Sequence, residues 1–191
     1  QGAAKTYPLG SNAKNPISCH GSCTMLSNTN LVFIPVWVGN WDVNNINNWN
    51  LTFGNLINSF GSLKPPSHIF NTNIKYFTLR SQIVPSLSWI SHTNTVPLKT
   101  LTSTSVSDKD VATYINSYIT SNKTPIPVGS TPVYVYIGAA NTRLSSGFGN
   151  MYCGWHTFGS TLTGAKTTYI AIQDFNPKQY NGCTYQQVSP N

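Results

Sequence analysis

Leu31-Val32-Phe33-Ile34-Pro35-Val36-Trp37-Val38 runs directly into Gly39-Asn40-Trp41-Asp42. Beyond it, Ile46, Trp49, Phe53, Leu56, Ile57 and Phe60 recur at helical spacing. Eight apolar residues in a row, too few for a helix of useful length, read as a buried strand. Pro35 has no N–H to give a ladder, which moves the expectation towards an edge strand or a bulge. Asp42 stands where an N-cap belongs, and Gly61 where a helix ends at C′. The other face of this helix is rich in Asn, a poor helix former, so packing has to hold it.

The same alternation continues downstream. Residues 74–80 and 83–90 alternate apolar and polar side chains, as two strands of a hairpin would. Ser107 with Asp110 three residues on resembles a capping box. Val111, Tyr114, Ile115, Tyr118 and Ile119 then form an apolar helical stripe. Residues 123–129 are a proline-bearing loop, 133–137 (VYVYI) the clearest central strand, and 167–173 another. Interleaved strands and helices predict an α/β fold: a mixed central sheet with two main helices packed on it. Residues 1–29 are polar and read as an extended N-terminal arm to a single domain spanning 1–191.

Composition narrows the function. A chain of 191 residues buries roughly 70% of its unfolded surface, and 39% apolar content supplies a core. Charged residues make up only 8%, against roughly 25% in ordinary soluble domains. All four acids are Asp (Asp42, Asp108, Asp110, Asp174), so Ser, Thr, Asn and Tyr must cover most of the surface. Such a surface resists close approach weakly, which favours an assembled, extracellular setting. The +7 balance is carried by basic residues scattered singly, so no stripe for nucleic acid forms. No apolar run is long enough to span a membrane. The start at Gln1, without a basic or apolar leader, fits a mature secreted protein. Four cysteines are compatible with two disulfides in an oxidising compartment. Asn50-Leu51-Thr52 and Asn122-Lys123-Thr124 are glycosylation sequons, Asn50 and Asn122 being the acceptors.

The segment Ser146-Gly147-Phe148-Gly149-Asn150-Met151-Tyr152-Cys153-Gly154-Trp155-His156-Thr157 resembles the signature of EXORDIUM-like (phosphate-induced) proteins. His20-Gly21, Val36-Trp37-Val38-Gly39-Asn40-Trp41 and Cys183-Thr184-Tyr185-Gln186-Gln187-Val188-Ser189-Pro190-Asn191 are similar to further family pieces in the same order. The resemblance makes Gly154, Trp155 and His156 signature residues and implies a cell-wall-like setting with a metallopeptidase-like architecture. Two departures stand out. A family cysteine is Gly149 here, and another is lost before Cys183, which implies that Cys153–Cys183 survives as one bridge and Cys19–Cys23 as a small second one. The family's later His-Glu helix has no counterpart in residues 1–191, so the resemblance implies a C-terminal half that is cleaved into a separate chain, lost, or part of a longer protein.

No residue set completes a catalytic or metal site. Cys153 and His156 have the types of a nucleophile pair, set against an oxidised Cys153 with His156 at a strand end. Cys19, His20 and Cys23 offer half a zinc site, which needs four ligands; a turn-closing disulfide is the simpler reading. Asp42, Asp108 and Asp110 are explained as helix-start residues, which leaves Asp174 without a second carboxylate. Aromatic rings make platforms for sugars, and among Trp37, Trp41, Trp49, Trp89 and Trp155 the element-end residues Trp41 and Trp155 are the glycan-contact candidates. The expectation is a secreted, non-enzymatic matrix or cell-wall protein without cofactor, assembling into homo-oligomers, fibres or sheets. Its rivals are the N-terminal half of a metal-dependent hydrolase and a module that binds polysaccharide.

Overall fold

A computed structural model of the chain describes residues 30–62, 86–98, 105–122, 124–140, 142, 144, 148, 152–160 and 166–173. Its elements are β1 (Asn30–Val38), α1 (Val43–Ser62), β2 (Leu87–Trp89), β3 (Thr95–Val96), α2 (Asp108–Ser121), β4 (Ser130–Gly138), β5 (Trp155–Ser160) and β6 (Lys166–Gln173). They build one six-stranded sheet in the order β2-β1-β4-β6-β5, with β3 also on β1. β1 runs parallel to β2, β3 and β4, and β4 parallel to β6; only β5 is antiparallel, along β6. The expected mixed sheet with two helices is present. The metallopeptidase-like architecture is not supported; these strands form a largely parallel sheet with one helix packed on each face.

The continuous apolar runs follow from that two-sided cover. Side chains alternate between the faces of a strand, so a strand buried on both sides has no polar position to spend. Val32, Ile34, Val36, Val38, Tyr134 and Tyr136 form one core with Val111, Tyr114, Ile115 and Tyr118 of α2. Trp37, Val135 and Ile137 join Ile46 of α1 and Trp89 of β2 in the other, with Phe33, Trp41, Trp49 and Phe53 packed against them. Leu56, expected on the buried stripe of α1, is 46% exposed. Gly61 lies inside the last turn of α1, which continues to Ser62.

β1 is the second strand in the sheet, not an edge, and the position of Pro35 explains how. Leu31 N–H donates to Ser86, Phe33 accepts from Ile90, and Gly39 N–H donates to Val96. Odd-numbered residues of β1 therefore turn their backbone towards β2 and β3. Pro35 faces the interval between the end of β2 at Trp89 and the start of β3 at Thr95. The N–H that proline lacks falls where no strand is present to receive it. Its carbonyl accepts instead from His92 Nε2 at 2.8 Å.

Both helix starts follow the sequence. Asp42 Oδ1 accepts from the N–H groups of Asn44 and Asn45, at 2.8 and 3.2 Å. Gly39, at φ 101°, makes the left-handed turn out of β1 that a side chain would resist. Ser107 caps α2 in a full capping box with Asp110. Of the expected hairpin, residues 87–89 form β2, paired parallel to β1; residues 74–80 lie outside the described residues, as does the arm 1–29. No described helix is long and apolar enough to cross a membrane.

Candidate functional site

The chain adds β2 and β3 on one side of β1, then β4, β6 and β5 on the other. Ligands of such sheets sit outside the carboxyl ends of the strands, in the crevice where the direction of winding changes. Here that crevice lies between the ends of β1 and β4, and the protein fills it itself. Trp41 turns inward, its indole N–H shared between the carbonyls of Val38 at 3.2 Å and Ile137 at 3.3 Å. Its ring packs edge-on against Trp37 and Trp49. Asp42 takes the first amides of α1, the groups that would otherwise hold a phosphate. Trp41, the expected glycan contact, is partly exposed here, with its N–H bonded to two strand-end carbonyls.

A second concavity opens beside the crevice, on the α2 face. Asp108, Lys109 and Ala112 from the first turns of α2 form one wall; Tyr152, Gly154, Trp155, His156 and Thr157 form the other. The groove encloses about 740 Å³, within the range of about 300–1,000 Å³ typical of small-ligand sites. It too lies at the carboxyl ends of the parallel strands. α2 falls between the parallel strands β3 and β4 and so runs back against them. Val106 before α2 bridges Leu144 after β4, and Trp155 pairs with Ala171 near the end of β6.

Asp108, Lys109 and His156 project as exposed side chains, while Tyr152 and Trp155 are half-buried and pack against the α2-side core. The segment signalled by the sequence thus supplies one wall, including Gly154, Trp155 and His156. Tyr152 belongs to the same signature segment. Asp108 was read as a helix-start residue and Lys109 gave no signal, since nothing local brings the head of α2 to this segment. Of the first amides of α2, that of Asp110 is already capped. Ser107 Oγ accepts from Asp110 N–H at 3.3 Å, and Asp110 Oδ2 accepts from Ser107 N–H at 2.8 Å and Oγ–H at 2.6 Å. These bonds hold the Asp110 carboxyl below the ordinary carboxylate range.

Cys153, at the rim, is exposed and disulfide-bonded, so it has no thiolate to pair with His156. Its partner lies outside the described residues, as do Cys19, Cys23 and Cys183. Among the described residues no three His, Cys, Asp or Glu side chains gather as a metal site would require. Asn50, read as a glycan acceptor, is only 8% exposed. Its Nδ2 donates to the His92 carbonyl at 2.9 Å, and its Oδ1 accepts from Trp89 Nε1 at 2.9 Å. The acceptor nitrogen of this sequon is thus engaged in a partly buried hydrogen bond. Asn122 is the C-cap of α2, and the Thr124 hydroxyl of its sequon bonds Tyr118.

A partly buried relay lies outside the groove, between residues whose pairing the sequence pattern does not mark. His92 Nε2 lies 2.7 Å from the Tyr118 hydroxyl, which lies 2.6 Å from Thr124 Oγ1. With Nε2–H serving Pro35 and Tyr118, the Tyr118 hydroxyl donates onward to Thr124. The carbonyl of His92 also accepts from Trp37 Nε1 and Asn50 Nδ2. One residue thereby ties the α1 side of the sheet to the α2 side. Compared with protein-family models, curated proteins and solved structures, the chain matches none.

Proposed function

We propose that this chain is a secreted, non-enzymatic protein of an extracellular matrix or cell wall, which works by binding. The observation that carries the reading is the groove of Asp108, Lys109, Tyr152, Trp155 and His156. It presents one acid, one ammonium and one imidazole beside two rings, a mixed polar and aromatic lining of the kind that holds a ligand. Among the described residues, the groups whose protonation is shifted, His92, Tyr118, Tyr134 and Asp110, have packing and capping roles outside the groove's lining. The charge-poor surface supports close assembly, and the EXORDIUM-like signature supports the extracellular setting.

The test is co-sedimentation with insoluble cell-wall and matrix preparations, run beside peptide and glycoside turnover assays. Pelleting with unchanged substrates is the expected result. Turnover that a chelator abolishes would replace this reading with that of a hydrolase completed by a second chain.

A further inference from the structure

We infer that the groove between the head of α2 and residues 152–157 takes a neutral oligosaccharide chain; this rests on the binding role proposed above. Hexose rings pair an apolar face with a rim of hydroxyls, and aromatic side chains answer the face. Tyr152 and Trp155 stand on one wall of the groove and supply those faces. The rim needs donors and acceptors in mixture, because each sugar hydroxyl is both. Asp108 accepts, Lys109 donates, and His156 and Thr157 do either, all within the same lining.

The chemistry disfavours an anion. The amide of Asp110 is committed to Ser107, and the Asp110 carboxylate itself occupies the helix start. Asp108 would meet a carboxylate or phosphate with like charge, which Lys109 only offsets. The groove is also open to solvent, and Gly154 in its lining adds no side chain to obstruct it.

The experiment is calorimetric titration of the whole chain with cellohexaose, xylohexaose and chitohexaose, each compared with hexagalacturonate, while tryptophan fluorescence is followed. At least one neutral hexasaccharide binds and shifts the emission; hexagalacturonate binds more weakly than that sugar. Trp155→Ala weakens binding about tenfold, the equivalent of about 1.4 kcal/mol. Trp155 also packs on the core, so the double variant Asp108→Asn, Lys109→Ala, altering two exposed side chains, is titrated beside it and weakens binding severalfold. Heat for no neutral hexasaccharide, tighter binding of hexagalacturonate, or affinity indifferent to the double variant overturns the inference. Pelleting with matrix despite silent titrations would sink the sugar assignment alone, whereas substrate turnover would sink the binding role beneath it.

Discussion

The imidazole of His92 substitutes for a missing strand opposite Pro35: Nε2 donates to the proline carbonyl at 2.8 Å, in the interval between β2 and β3. A proline in an interior strand is thus accommodated by interrupting its neighbour there and filling the gap with a side chain.

That arrangement makes stability depend on pH. Burial pushes the His92 imidazole below its usual 6.5, opposed in part by the bond to Pro35. Its Nδ1 is buried without a hydrogen-bond partner, so a second ring proton would have no acceptor. The titratable group in contact, Tyr118, is pushed up by burial and stays neutral in this range. The unfolded chain takes up the proton near 6.5 and the folded chain resists it, so stability is full above 6.5 and falls as pH drops towards the depressed value. Urea midpoints between pH 5 and 8 should show this slope in the parent chain and a flatter one in His92→Gln. The same substitution should cost about 1–3 kcal/mol at neutral pH through the orphaned Pro35 carbonyl.

Asn50 and Thr52 separate burial from glycosylation. Asn50→Ala should cost about 1–3 kcal/mol, since it strands the indole N–H of Trp89. Thr52→Ala removes the same sequon but only an exposed bond to the Asn48 carbonyl, and should leave thermal stability within about 0.5 kcal/mol. Equal losses in both variants would contradict the buried amide.

Two glycine substitutions should have opposite signs. A methyl at Gly54, inside α1, would meet Trp89 Cδ1 at 3.6 Å, an ordinary contact. Gly54→Ala should stabilise by about 0.5–1 kcal/mol through helix propensity. A methyl at Gly138 would collide with Thr142 Oγ1 and crowd the Tyr136 ring. Gly138→Ala should lower the denaturation midpoint by an amount typical of overpacking, about 1–3 kcal/mol.

Ser107→Ala should cost about 1 kcal/mol, the usual worth of an N-cap. Asp110 is held below its usual 3.8 by its bonds to Ser107. Its contribution is present above that value and lost as pH falls through the lower folded-state one. In Ser107→Ala the acid limb of a stability profile should therefore lose part of its slope.

The sequence revealed elements whose side chains repeat with a period, and missed what depends on a distant partner. β1, α1, α2, β4 and β6 each carry an apolar pattern dictated by the core. β3 is two residues long, and β5 (Trp155–Ser160) mixes Trp, His, Thr, Phe, Gly and Ser; it is defined by its pairing with β6. Pro35 was misplaced to an edge because the rule assumes an unbroken neighbour. Trp41 and Trp155 were indistinguishable as element-end aromatics, and only the strand-end carbonyls near Trp41 set them apart. One wall of the groove was visible as a contiguous segment. The other, from α2, belongs to a distant stretch that only the fold brings near.

Trp41 has one more effect. With its indole seated between the tips of β1 and β4, the proposed ligand would have to approach along the flank beside α2. The opposite helix, α1, exposes the uncharged amides of Asn44, Asn45, Asn47 and Asn48. Such a coat hydrogen-bonds readily to water or to a neighbour of either charge, and repels neither.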